Sequence, residues 1–131
     1  MKNLKKKIYF WSALEALGGH SLFCLRKYEQ FKQILEQTLS SIIIITYEGH
    51  AWERMVFHGA RSTNSKIKCI GYTHAPIFKH QHAISRLLGN GYDPDQILTS
   101  GTIQKVQLES TNKLLGIPIE ILGSKRVNVF I

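Results

Sequence analysis

Cysteine is scarce: Cys24 and Cys69 are the only two in 131 residues, and neither keeps a Cys-x-x-Cys or Cys–His spacing. That excludes a disulfide framework and a zinc site built on thiolates, and it makes a reducing cytosol the default compartment. Long apolar runs are also missing. Lys5-Lys6-Lys7 followed by Ile8-Tyr9-Phe10-Trp11 imitates the start of a signal peptide, but Glu15 interrupts it and no small-residue cleavage pattern follows. The stretch is too short to span a bilayer. Acidic residues are few, nine against seventeen Lys plus Arg, for a net charge of +8. Such a balance suits a partner carrying phosphate or carboxylate. The basic residues are thinly spread after Lys7 and are not interleaved with stacking aromatics, so nucleic acid is not expected. A basic, aromatic edge of this kind is also suited to a membrane surface. Neither a GxGxxG nor a Walker loop is present.

What is present reads as one soluble α/β domain with 44% hydrophobic residues. Ile42 to Ile45 form a β-branched run, expected to be a strand buried on both faces of a parallel sheet. Before it, Tyr28, Phe31, Ile34, Leu35 and Leu39 give the span from Arg26 to Leu39 one apolar helical face. A shorter helix is expected over Ile8 to Leu17, ended by Gly18-Gly19. After the strand the period changes, and Trp52 and Val56 open a further helix near Ala51. Lys66 to Tyr72 reads as a second strand, completing a βαβ unit.

Pro76 is expected to begin a helix carrying Ile77, Ile84, Leu87 and Leu88 on its apolar side and stopped by Gly89. Asn90 to Asp95 is turn chemistry, followed by a third strand, Gln96 to Thr99. A helix with Ile103, Val106 and Leu114 on its apolar side follows, terminated at Gly116 and Pro118, and a fourth strand covers Ile119 to Leu122. The fold expected is thus Rossmann-like: an open parallel sheet of about four strands flanked by helices, over residues 1–126.

In such sheets ligands bind beyond the carboxyl ends of the strands. Glu48, His50 and His74 would meet there, and a carboxylate beside an imidazole can act as a general base on a hydroxyl. The alternative is that Glu48 caps the following helix, where the dipole favours negative charge, with His50 merely lining the turn. Tyr47 and Trp52 either stack on a sugar or base or belong to the core. Ser100-Gly101-Thr102 is either an anion-binding nest at a helix start or a simple N-cap. His80 and His82, two apart on a helix, point to different sides and do not make a metal site with His74. Lys125-Arg126 reads as a solvated turn, with phosphate contact the minority alternative.

The order of motifs carries a resemblance. Tyr47-Glu48-Gly49-His50-Ala51-Trp52-Glu53, then Gly71-Tyr72-Thr73-His74, then Pro94-Asp95-Gln96-Ile97-Leu98-Thr99-Ser100-Gly101, then Leu122-Gly123-Ser124-Lys125-Arg126 resembles bacterial surface carbohydrate biosynthesis proteins of the two-Rossmann-domain, GT-B glycosyltransferase type. The resemblance covers about residues 40 to 126. It implies metal-independent sugar transfer, in lipopolysaccharide or capsule synthesis, from a nucleotide-sugar donor to a glycan acceptor, without a further cofactor. Cysteine usage and the basic, aromatic edge lead to the expectation of a cytoplasmic protein, peripheral at the inner membrane or free of it. Glu48 or His74 would act as base or acceptor ligand, with His50 beside them, and Ser100 and Gly101 would face a phosphate or carboxylate. This chain would be the amino-terminal, acceptor-side half, inactive without a second domain. Residues 127–131 would begin that domain or a linker, and Val127 to Ile131 would pack back on the sheet or pair with another copy. Two further readings of the same residues are a non-catalytic binding module and a His-dependent hydrolase or nuclease.

Overall fold

A computed structural model describes residues 2–78 and 83–124. The elements are α1 (Lys2–Ala16), α2 (Gly19–Thr38), β1 (Ile42–Thr46), α3 (Ala51–Thr63), β2 (Lys68–Thr73), β3 (Gln96–Thr99), α4 (Thr102–Ser110) and β4 (Ile119–Ile121). The four strands form one open parallel sheet in the order β1-β2-β3-β4. This is the Rossmann-like α/β architecture expected. His80, His82, Lys125, Arg126 and the stretch from Val127 to Ile131 lie outside the described residues.

Strand alternation separates the two faces of the sheet. Ile43, Cys69, Ile97 and Ile119 share one face, and they join Val56, Phe57 and Ala60 of α3, Leu108 of α4 and Leu35 of α2 in the core. Gly59 brings α2 close to α3, since a Cβ there would lie 3.0 Å from the Tyr28 ring. Burial lifts the Cys69 thiol to about 11.

The expectation that β1 is buried on both faces is overturned. Ile43 is 7% exposed, but Ile42 and Ile44 are 53% and 57% exposed. β1 is an edge strand, and the core lies on the Ile43 side alone. Both N-terminal helices run longer than their periodicity indicated. Leu17 and Gly18 separate them, with Gly18 as the extended N-cap of α2, and Leu39 ends α2 in the left-handed region at φ 50°.

No helix follows Pro76 among the described residues. Of its expected apolar side Ile84 is buried, whereas Leu87 and Leu88 are 40% and 50% exposed. Side chains satisfy backbone groups of the described stretch from Ala83 to Gly89. Arg54 donates to the carbonyls of Ala83 (2.9 Å) and Arg86 (2.6 Å), and the Asp93 carboxylate accepts from the N–H groups of Leu88 (2.8 Å) and Gly89 (2.6 Å). The helix after β3 also differs. α4 stops at Ser110, where the Thr111 hydroxyl turns back to the Leu108 carbonyl, and Asn112 adopts φ 51°. Ile103 and Val106 face solvent, and Leu108 is the residue that reaches the core.

Candidate functional site

The strand ends form a rim. β1 and β2 pair through Thr46 and Tyr72, and the ladder runs one step further, where the Tyr47 N–H donates to the Tyr72 carbonyl at 2.9 Å. β2 and β3 pair through Thr73 and Thr99, after which the Ser100 N–H donates to the Thr73 carbonyl at 3.0 Å. Glu48, His74 and Ser100 therefore leave three neighbouring strands at one edge.

At that edge His50 Nε2 and Glu48 Oε2 are 3.2 Å apart, with side chains 56% and 31% exposed. The pair is open to solvent. His74 is exposed and stacks its ring on Tyr72, with centroids 6.1 Å apart. The Ser100 hydroxyl donates to the His74 carbonyl at 3.5 Å. Tyr72 donates its hydroxyl to the Gly123 carbonyl at 3.0 Å, and it lines a shallow hollow with Leu122, Gly123 and Ser124. Among the described residues no hydrogen bond joins Glu48 or His50 to the His74 ring. The rim thus holds two groups, Glu48 with His50 and His74 with Tyr72 and Ser100.

The turn that presents Glu48 and His50 is rigid. Its organiser is Glu53, not Glu48. Glu53 is 1% exposed, and its carboxylate accepts from the backbone N–H of Glu48 at 3.0 Å and of His50 at 2.8 Å. This is the reciprocal arm of a capping box, three residues beyond the N-cap His50. Burial raises the Glu53 pKa above the usual carboxylate range, opposed by those N–H groups and by His50. Glu48 is thereby spared the capping role and keeps its carboxylate for the rim. Gly49 closes the turn at φ 85°, so close to the next segment that a Cβ would lie 2.4 Å from the Ala83 carbonyl carbon and the Ile84 nitrogen.

Of the two alternatives for Tyr47, stacking on a sugar or base and packing in the core, the structure shows the second, so Tyr47 is not a substrate-binding residue. It is 0% exposed, because the extra ladder step keeps strand alternation running and points it to the core side with Ile43. Its ring meets Phe57 with centroids 5.7 Å apart and lies beneath the Arg54 guanidinium at 5.6 Å. Gly71 provides the room, since a Cβ there would lie 2.7 Å from the Tyr47 Cβ. Burial raises the Tyr47 phenol well above its ordinary range. Trp52 packs against the core cluster.

Ser100 and Gly101 precede α4, with Gly101 as an extended N-cap and no side chain capping the first turn. Thr102 is exposed at its first position. The N–H groups of that turn are therefore left for solvent or an anion. Among the described residues, no three His, Cys, Asp or Glu side chains form a group that could hold a metal ion.

Periodicity missed the residues that brace the site. Arg54, 4% exposed, pairs with Asp93 and holds two carbonyls of the facing segment. Arg61, seven positions on and so on the same side of α3, donates to the carbonyls of Gly91 (2.6 Å) and Asp93 (2.9 Å) and to the Asp95 carboxylate (2.8 Å). Between them His58 stacks on Tyr92 at 4.3 Å and on Tyr28 at 5.9 Å. The spacing of His50 to Glu53 was a usable local signal for the cap. The arginine partners had none, because they lie some thirty positions away.

Comparison with protein-family models, with curated proteins and with solved structures finds no match for this chain. Function has to be argued from the rim and from the motif order.

Proposed function

We propose that the chain is the acceptor-side part of a glycosyltransferase-like protein of surface-polysaccharide synthesis, with the strand-end rim as its acceptor site. The observation that carries this reading is the accessible Glu48–His50 pair, 3.2 Å apart on a braced turn beside the strand end bearing His74. Sugar transfer needs a base for the acceptor hydroxyl, and a carboxylate with an adjoining imidazole supplies one. In this reading Glu48 takes the proton from the hydroxyl as its oxygen attacks the anomeric carbon of the donor. The bond from that carbon to the nucleotide's phosphate breaks, and the nucleoside diphosphate leaves with the electron pair. His50 orients the Glu48 carboxylate and shares its charge. His74, with the Tyr72 ring behind it, offers a flat surface and a polar edge to a sugar. The uncapped N–H groups after Ser100 and Gly101 favour a phosphate or carboxylate. The order of sequence motifs adds support of a different kind, by resemblance, and places the donor nucleotide on a second domain.

Amide chemical-shift mapping with oligosaccharides and with nucleoside diphosphates is the test. Shifts centred on Glu48, His50, His74 and Ser100, and lost on replacing Glu48→Gln with His74→Ala, are expected. In a transfer assay of a full-length, two-domain relative the same double replacement lowers the rate by about a hundredfold or more, the usual weight of a positioned general base. Transfer at the parental rate refutes the catalytic assignment. Oligosaccharide binding at the rim without nucleotide release from any donor favours a binding module of the same fold.

A further inference from the structure

α1 is a helix with almost nothing to pack against. Every side chain from Asn3 to Leu17 is exposed, and none of them enters the core cluster. Yet its composition is not that of a solvated helix. Leu4, Ile8, Tyr9, Phe10, Trp11 and Leu14 are between 46% and 73% exposed. At 100° per residue Leu4, Ile8 and Trp11 form one stripe, which Glu15 also enters, with Leu14 at its flank. Lys5 and Lys6 lie off that stripe, and Lys7 falls between Trp11 and Leu14. The apolar surface continues across the turn into the start of α2, where Leu17 and Leu22 are 81% and 62% exposed.

Charge is concentrated in the same place. Residues 2–27 hold six of the seventeen Lys and Arg and one of the nine acidic residues. The remainder of the chain is far closer to balance. No described helix is long and apolar enough to cross a membrane. A helix with lysines clustered in its first two turns and an exposed stripe of Leu, Ile and Trp beside them suits the plane of a bilayer interface. The aromatic rings suit the headgroup level, and lysine stems reach from the acyl boundary to the phosphates.

We infer that α1, continued into the first turns of α2, docks this protein on an anionic lipid surface. The lysine cluster selects this occupant over the obvious competitors. A second copy packed in parallel would bring Lys5, Lys6 and Lys7 against their own equivalents, and an antiparallel one would offer three lysines only Glu15 as counter-charge. Nucleic acid would satisfy the lysines and leave Leu4, Ile8 and Trp11 in water. An anionic bilayer meets both demands, hydrocarbon for the stripe and phosphate for the lysines. This inference rests on α1 and α2 alone and does not depend on what the strand-end rim binds.

The test is co-sedimentation of the whole chain with phosphatidylcholine vesicles, with and without phosphatidylglycerol. Binding is expected only to the anionic vesicles, to weaken with added salt, and to blue-shift Trp11 fluorescence in a Trp52→Phe background. Because each basic residue near such a surface contributes about 1 kcal/mol, reversing Lys5, Lys6 and Lys7 to Glu lowers partitioning by about a hundredfold or more. Replacing Ile8 and Trp11 with Ser abolishes the fluorescence shift. Both sets of changes lie outside the core, so an unchanged melting temperature accompanies them. Absence of binding to anionic vesicles overturns the inference. So does binding that the triple reversal leaves intact, self-association through α1 without lipid binding, or tighter binding to single-stranded RNA than to the vesicles.

Discussion

Arg54 on α3 and Asp93 on the segment before β3 form an ion pair across 39 positions of sequence, with side chains 5% and 14% exposed. The same guanidinium caps the carbonyls of Ala83 and Arg86, and the same carboxylate caps the N–H groups of Leu88 and Gly89. Each charge therefore organises a stretch of backbone that has no ladder of its own.

Removing one partner strands the other. Arg54→Ala is expected to destabilise the fold by about 3–5 kcal/mol, since it leaves a shielded carboxylate without its cation and two carbonyls without donors. Asp93→Asn keeps part of the hydrogen bonding and costs less. Urea denaturation of both single variants and the double variant measures the coupling, expected at about 1–3 kcal/mol. Additive losses would show that the pair does not act as a unit.

Glu53 gives stability a pH dependence of definite sign. Its folded-state pKa is raised by burial. Between the ordinary carboxylate range and that raised value the folded state binds the proton more tightly, so its contribution to stability falls as pH rises. Glu53→Gln is expected to remove this slope. Below the window the variant is less stable by about 1–2 kcal/mol, because an amide replaces the carboxyl group serving the Glu48 and His50 N–H groups, and the gap narrows as pH rises. Urea midpoints across acid to neutral pH test it, and parallel curves for the two proteins would contradict it.

Gly49 and Gly89 both have positive φ, 85° and 71°, but only Gly49 is crowded. A Cβ at Gly49 would lie 2.4 Å from backbone atoms of residues 83 and 84, whereas at Gly89 it would meet nothing within 4 Å. Gly89→Ala is expected to cost about 1–2 kcal/mol, the left-handed penalty alone. Gly49→Ala is expected to cost more by about 1–3 kcal/mol of overpacking, and to shift the amide resonances of Ala83 and Ile84. Equal losses would show that the turn is not seated against that segment.

Short-range pattern carried most of the architecture. The Ile42 to Ile45 run, the Trp52 and Val56 spacing and the strand at Gln96 to Thr99 each announce an element through its own period, and the parallel sheet follows from their alternation. The Glu48 and His50 juxtaposition was legible for the same reason, two positions apart at a strand-to-helix join. Tyr47 was not, because its place depends on one further ladder bond to Tyr72, and a single step along a strand exchanges core for solvent. Ile103 and Val106 follow a helical period but face water, since α4 is short and meets the core through Leu108. The segment after Pro76 had the apolar residues of a helix. Arg54 and Asp93 override that propensity from outside the segment, and no local reading includes them.

The strand order has a kinetic meaning. Ile42 pairs with Lys68 and Ile70 with Gln96, both 26 positions apart, and Ile97 pairs with Ile119, 22 apart. No strand has to be threaded between two that are already joined. The sheet can grow as the chain leaves the ribosome, each newcomer zipping onto the free flank of its predecessor after closing one loop of similar length. The described core is thus assembled by repeated short closures rather than one long one, which keeps the entropic barrier of every stage alike.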